Sequence, residues 1–201
     1  MKPGKTVKIL IINNAEPGIS EFSKPLERIV SETDINFHFE TIEYPDCQTI
    51  RFKSADGILL TGSPQGNDIV EHHLPYFTWL KTNETPVLGI CAGHHITGYI
   101  FGAKLYRSKE PESGDYEVET VMDDPIFSGI PQKFKVKQMH NDSISLPSDF
   151  KLLATSKTCK NQIMKHWEKP IYTCQFHPEF YNHDLVRNFL RIVERKSMQT
   201  D

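Results

Sequence analysis

Two short stretches carry residue types that could act together as a nucleophile and its base. The first is Pro86-Val87-Leu88-Gly89-Ile90-Cys91-Ala92-Gly93-His94-His95. Its apolar run Val87 to Ile90 reads as a buried strand, Gly-Ile-Cys-Ala-Gly as a tight turn, and Ile96 to Phe101 as a helix. Strand, turn and helix with a nucleophile at the turn make a nucleophile elbow. Gly89 and Gly93 lack a β-carbon, so strand and helix can approach closely around a strained position. Cys91 then stands at a helix N-terminus, where unpaired N–H groups and the helix dipole favour a thiolate. Taken alone, the same residues also describe an inert buried cysteine with two incidental glycines. The second stretch is Tyr172-Thr173-Cys174-Gln175-Phe176-His177-Pro178-Glu179-Phe180, with His177 lying 86 positions after Cys91. A cysteine nucleophile needs a base, and the base needs a group that orients it. His177 and Glu179 can supply both. Two positions apart on an extended segment, they point to the same side, and Pro178 stiffens the link.

These pieces must be held by a frame, and the chain supplies one. Val7 to Asn13 is a near-continuous apolar run, as expected of a central parallel strand covered on both faces. Ile19 to Ser31 reads as an amphipathic helix, Asn36 to Ile42 as a strand, Asp56 to Leu60 as a buried strand, and Leu74 to Lys81 as a helix. Such alternation predicts an α/β fold with a doubly wound, mostly parallel, flavodoxin-like sheet flanked by helices. After Gly102 the pattern changes to short strands (Lys104 to Arg107, Tyr116 to Val121, Phe134 to His140, Lys151 to Thr155, Ile163 to His166) divided by turn residues. These predict antiparallel strand additions within the same domain. Ile171 to Phe176 returns as a core strand that ends at His177, and His183 to Lys196 closes the chain as an amphipathic helix. Its apolar stripe is Leu185, Val186, Phe189, Leu190 and Val193. With 201 residues, the expectation is a single domain over residues 1–201. In such sheets chemistry gathers beyond the carboxyl ends of the strands. Three of those ends carry Thr61-Gly62-Ser63, Cys91, and His177 with Glu179.

At this point a family resemblance emerges. Gly89-Ile-Cys-Ala-Gly-His-His95 resembles the nucleophile signature of class I glutamine amidotransferases, and Gln175-Phe-His-Pro-Glu179 resembles their second signature. Leu60-Thr61-Gly62-Ser63-Pro64 is similar to their oxyanion loop. The resemblance covers nearly the whole chain in the family's order. It implies the catalytic set Cys91, His177 and Glu179, acting on the side-chain amide of glutamine through a thioester. The backbone N–H of Ala92, next to the nucleophile, is the first oxyanion donor, and by resemblance the N–H of Ser63 is the second. Many relatives have glycine at that place, so Ser63 requires backbone angles that suit an L-residue. Gly62, His95, Met139, His140 and Asn141 are implied substrate contacts. One departure is sharp: the elbow signature ordinarily ends in glutamine, where this chain has His95. A helix N-terminus disfavours added positive charge, which predicts a neutral His95 near pH 7.

Asp124 to Pro131 and Ser145 to Pro147 resemble spacer segments in the glutaminase part of GMP synthetases, although turn chemistry alone also accounts for them. The resemblance therefore implies glutaminase action with ammonia passed to an ATP-dependent synthetase subunit, the GMP-forming ATP-pyrophosphatase first, and so a place in purine biosynthesis. Two alternatives remain open: a self-sufficient γ-glutamyl hydrolase or peptidase, and a catalytically silent regulatory module on the same fold.

Composition narrows the field. A formal net charge of −3 gives no electrostatic case for nucleic acid. The apolar runs are too short to span a membrane, and Met1 to Lys5 has no secretory core behind it. Four cysteines without C-x-x-C spacing predict reduced thiols and a cytoplasmic location. Adjacent histidines on a helix, as at His72-His73 and His94-His95, point about 100° apart and suit a single ion poorly. Neither a metal nor a cofactor is expected.

Overall fold

The computed structural model describes residues 6–48, 54–66 and 68–199, so Met1 to Lys5 lies outside the described residues. Eleven strands are seen among them: β1 Val7–Asn13, β2 Phe37–Glu43, β3 Gly57–Leu60, β4 Val87–Ile90, β5 Leu105–Tyr106, β6 Glu112–Thr120, β7 Lys133–His140, β8 Ser143–Ile144, β9 Phe150–Ser156, β10 Ile163–His166 and β11 Ile171–Cys174. The α-helices are α1 Ser23–Ser31, α2 Asp68–Phe77, α3 Ala92–Ile100, α4 Pro178–Tyr181 and α5 His183–Gln199.

Nine strands form one sheet in the order β2-β1-β3-β4-β11-β10-β9-β6-β7. From β2 to β11 all neighbours are parallel, and from β11 to β7 all are antiparallel. A short antiparallel pair, β5 with β8, stands apart. The predicted doubly wound parallel core with antiparallel additions is what the chain forms.

Period-two alternation assigns the two faces of the core. Ile9 and Ile11 of β1 join Leu59, Leu88, Ile90 and Tyr172 under α1 and α5. Leu10 and Ile12 turn the other way, with Ile58, Leu60, Val87 and Ile171, under α2 and α3. Leu185, Val186, Phe189, Leu190 and Val193 of α5 are fully buried, as the stripe predicted. Burying each such side chain stabilises by roughly 1.5–3 kcal/mol.

Three local expectations need correction. The first helix begins at Ser23 rather than Ile19, because Gly18 takes φ +91° and residues 15–22 form turns. The helix expected over Leu74 to Lys81 is α2 ending at Phe77, followed by a 3-10 turn Thr78–Thr82. Pro75 lies within α2 and cannot donate to the helical ladder. Finally, Pro178 and Glu179 open the short helix α4 instead of extending the strand.

Candidate active site

Cys91 closes β4 and caps α3, with φ +49° and ψ −98°. A non-glycine residue there is strained by of order 1–3 kcal/mol and persists only where its surroundings hold it. Three backbone bonds do so. Cys91 N–H donates to Cys174 O at 2.9 Å, Gly93 N–H to Thr61 O at 3.2 Å, and His95 N–H to Cys91 O at 3.0 Å. Strand β11, the elbow and the loop after β3 are thereby locked together. The glycines behave as their spacing predicted. A β-carbon on Gly89 would meet Gly93 O at 2.6 Å, and one on Gly93 would meet Leu60 Cβ at 2.7 Å.

His177 follows β11 and is 1 % exposed. Its Nδ1–H donates to Glu179 Oε1 at 2.7 Å, which fixes the tautomer and leaves Nε2 without a hydrogen-bond partner. Phe22 stacks on the ring, with centroids 4.9 Å apart. Glu179 reaches Nδ1 from the first turn of α4, so the proline works by starting a helix at its N1 position. Burial opposes a charged His177, but the negative charges of Cys91 and Glu179 outweigh it and hold its pKa up at about 10. The ring is thus poised to carry a proton beside the Cys91 sulfur.

The loop Thr61-Gly62-Ser63 is pinned from the end of β1. Asn14 N–H donates to Thr61 Oγ1 at 2.9 Å, and Asn14 Nδ2 to Thr61 O at 2.7 Å. Gly62 lies against the His177 ring: an added β-carbon would come within 2.8 Å of Cε1. Ser63 avoids positive φ, which meets the condition set for a serine at this place. Its hydroxyl donates to Gln65 Oε1 at 2.7 Å. Ala92 opens α3, where the first N–H groups have no partner inside the helix.

A cavity of about 600 Å³ brings together Ser63, Cys91, Ala92, His95, Met139, His140, Asn141 and His177. Reading the sequence missed Glu21, Phe22 and Arg107, which line it too, as does Asp142. Asp142 lies within the Val136 to Ser143 segment, which resembles the strand and turn that hold the amino-acid end of glutamine in the family. His140 faces the cavity edge but spends both ring nitrogens on the protein, at Asp142 O (2.8 Å) and Glu112 Oε2 (3.1 Å). His95 is buried and its Nε2–H donates to Gln175 Oε1 at 2.6 Å. Burial lowers its pKa to about 4, so the ring is neutral at pH 7; desolvation, not the helix end, is the main cause. Among the described residues, one group of ligand atoms close enough to consider for a metal is found: Glu112, His140 and Cys159, within 4.8 Å of one another. Neither histidine pair forms such a group.

Residues 19–192 match the family model for glutamine amidotransferase class I. The chain belongs to that family. It is therefore a glutamine amidotransferase, as the resemblance implied. A glutamine-hydrolyzing GMP synthase subunit from Pyrococcus abyssi is 33% identical over 195 residues, covering 92% of this chain and 97% of the relative. Its counterpart from Pyrococcus furiosus is 38% identical over 154 residues, covering 71% and 78%. The crystal structure of a GMP synthase subunit-like protein from Thermoplasma acidophilum superposes with a TM-score of 0.86 at 30% identity, covering 99% of this chain and all of that one. No helix among the described residues of this amidotransferase is long and apolar enough to cross a membrane.

Proposed function

We propose that this amidotransferase is the glutaminase subunit of a GMP-forming synthetase, handing ammonia to an ATP-pyrophosphatase subunit. The observation that carries the chemistry is His177, held by Glu179 at 2.7 Å, with its pKa raised to about 10 beside Cys91 and Glu179. In the forward reaction Cys91 Sγ attacks the side-chain amide carbon of glutamine. The developing oxyanion is received by the N–H groups of Ala92 and Ser63. His177 gives its proton to the departing nitrogen, and ammonia leaves with formation of a thioester. Water then attacks the thioester while His177 takes a proton, which releases glutamate and restores Cys91. The named relatives support GMP as the product. The continuous nine-stranded sheet supports reading residues 1–201 as one domain. Four free cysteines support a reducing, cytoplasmic location.

Glutamine hydrolysis without an acceptor wastes it, so a glutaminase that works for a synthetase gains from being slow alone. Its turnover is expected to rise at least about tenfold when the ATP-pyrophosphatase is added, which corresponds to a coupling of ~1.4 kcal/mol. Full turnover by the chain alone, unchanged by that partner, would establish the γ-glutamyl hydrolase reading instead. That second reading draws on His95, which stands where relatives offer an amide.

A further inference from the structure

A second cavity lies at the end of the parallel strands opposite to Cys91. At about 810 Å³ it is larger than the 600 Å³ cavity of the nucleophile. Its walls are the C-terminal turn of α3, Tyr99 to Gly102, and the turn that joins β10 to β11, His166 to Lys169. Helix α3 thus carries the nucleophile at one end and this cavity at the other, roughly 13 Å away along its axis.

His166, the last residue of β10, is the chemical centre of the cavity. It is 6 % exposed, and its ring meets Phe101 and Phe150 edge to face, with centroids 5.3 and 5.1 Å away. Its Nδ1 accepts the backbone N–H groups of Glu168 at 3.1 Å and Lys169 at 3.0 Å. A nitrogen that accepts carries no proton, so the single N–H of the neutral ring is on Nε2. Burial holds the His166 pKa below its ordinary value, and the ring is neutral at pH 7. Among the described residues, Nε2–H has no hydrogen-bond partner. A donor fixed in place and buried this deeply is costly to leave unsatisfied.

The groups around it are unspent as well. Lys81 is exposed and Tyr99 half-buried, and neither makes a polar contact with the described residues. Lys169, by contrast, commits its Nζ to Glu84 Oε1 and the Asn83 carbonyl. Trp167 is 60 % exposed, and Lys151 Nζ stands 5.7 Å from its ring centroid. Asp149 and Glu168 bring exposed carboxylates to the rim. Together these groups favour one chemistry. The cations Lys81 and Lys151 and the His166 Nε2–H call for an oxyanion. The rim carboxylates oppose a polyanion such as a triphosphate. Trp167 and Phe101 offer aromatic surface to a planar ring.

We propose that this cavity is a second binding site, for a small planar compound that carries a single oxyanionic group. His166 Nε2–H donates to that group, Lys81 balances its charge, and Trp167 stacks on the ring. Nucleoside monophosphates and aromatic carboxylates share this chemistry, and the experiment separates them. The site stands apart from the glutaminase reading, because no residue of the Cys91 cavity lines it.

The test titrates the full chain with GMP and with 4-hydroxybenzoate, read by calorimetry and by quenching of tryptophan fluorescence. At least one of them is expected to bind with a Kd of about 1 mM or tighter. Binding of GMP alone makes this a nucleotide site, binding of 4-hydroxybenzoate alone a carboxylate site, and binding of both supports the shared chemistry. Guanosine and 4-hydroxybenzyl alcohol, which lack the oxyanion, should bind at least about tenfold more weakly. His166→Phe keeps an aromatic ring but removes Nε2–H. This change and Lys81→Ala should each weaken binding at least about fivefold, with iodoacetamide labelling of Cys91 unchanged as the check on folding. Should His166→Phe not fold, Lys81→Ala and Trp167→Ala decide the matter by the same fall, read by calorimetry. No binding of either compound, equal binding of the uncharged analogues, or undiminished affinity in a folded variant would overturn the proposal. So would loss of binding once Cys91 is alkylated, which would move the ligand to the first cavity.

Discussion

The parallel and antiparallel halves of the sheet place their functional groups by different means. In the parallel half, β3, β4 and β11 end side by side, and the backbone does the placing. Cys91 is strained to φ +49°, Gly89 and Gly93 allow the close approach, and Thr61 O and Cys174 O hold the turn. In the antiparallel half, side chains do the placing. Glu112, His140, Ser156, Thr158 and Gln162 come from three strands and a connecting turn and converge on one buried carboxylate. We expect the first arrangement to govern what reacts and the second to govern what is gripped. Substitutions in the parallel half should therefore appear in kcat, and those in the antiparallel half in KM.

The largest expected effect is removal of the nucleophile. Cys91→Ala should lower glutamine turnover by on the order of 10⁴–10⁶ and abolish labelling by a diazoketone analogue of glutamine. Mass mapping of the labelled wild type is the check; a label on Cys159 or Cys174 would remove Cys91 from the site. Next comes its orienting carboxylate. Glu179→Gln keeps the shape but turns an amide N–H₂ or a weaker acceptor toward His177 Nδ1, which destabilises the tautomer that leaves Nε2 facing Cys91. A loss of about 10²–10⁴ in kcat is expected, with KM nearly unchanged. A rise in KM at constant kcat would erase the proposed division between the two halves.

Backbone placement makes its own prediction. Gly93→Ala forces a methyl to within 2.7 Å of Leu60 Cβ and 2.8 Å of Leu60 O, and the latter is main chain that cannot swing aside. Overpacking of this kind costs typically ~1–3 kcal/mol, which denaturant midpoints at constant m-value would register. An unchanged midpoint would mean that strand and helix can separate without cost.

This contrast also explains what could be read before the structure was known. The elbow, the His-Pro-Glu run and the apolar run of β1 are local: their residues lie within a few positions of each other, so the pattern itself encodes the geometry. The Glu112 network joins partners 28 and 50 positions apart, and no local period announces it. Arg107 carried no signal either, because its place at the cavity depends on Asp142 holding the neighbouring Ser108. His177 and Glu179 were correctly paired through incomplete geometry. The expected extended link is a helical start, and two very different backbones bring the same two atoms together.

The buried histidines predict acid lability. Unfolded, His95 takes up a proton near 6.5, but in the folded protein burial delays this to about 4. Between these values the unfolded state binds more protons, so stability falls as pH falls. From pH 6.5 to 4.5 the loss from His95 alone is about 2 kcal/mol. His94, also shifted downward mainly by burial, adds to it. His177 acts in the opposite sense, but its contribution is complete below pH 6.5 and declines only as pH rises toward about 10. Urea melts of the wild type and of His95→Gln across this range are the measurement. The variant should lose less stability on acidification; an identical slope would place the titration elsewhere.

The smallest expected effect is also the one that separates glutamine from another γ-glutamyl substrate. His95 sits on the nucleophile's side of α3, since four residues bring a helix back to nearly the same face. It lines the cavity, and its ring is anchored by the 2.6 Å bond to Gln175 Oε1. That bond spends the Nε2–H of a neutral ring, so His95 is a rigid group whose donor is already engaged. A glutamine at 95 can donate one N–H to Gln175 and still present its carbonyl and second N–H on a longer, adjustable side chain. The gain is one hydrogen bond, worth about 0.5–1.5 kcal/mol, or roughly a factor of two to twelve. His95→Gln is therefore expected to lower the KM for glutamine several-fold while kcat stays close to the wild-type value. The comparison with Glu112→Gln is informative because the two changes should move KM in opposite directions from opposite halves of the sheet. If His95→Gln instead abolishes turnover of glutamine, the His95–Gln175 pair is needed to hold the elbow helix, and the division between reacting and gripping halves fails at that residue. If it leaves glutamine unimproved and impairs a larger γ-glutamyl compound, His95 selects that compound and the hydrolase reading gains the site.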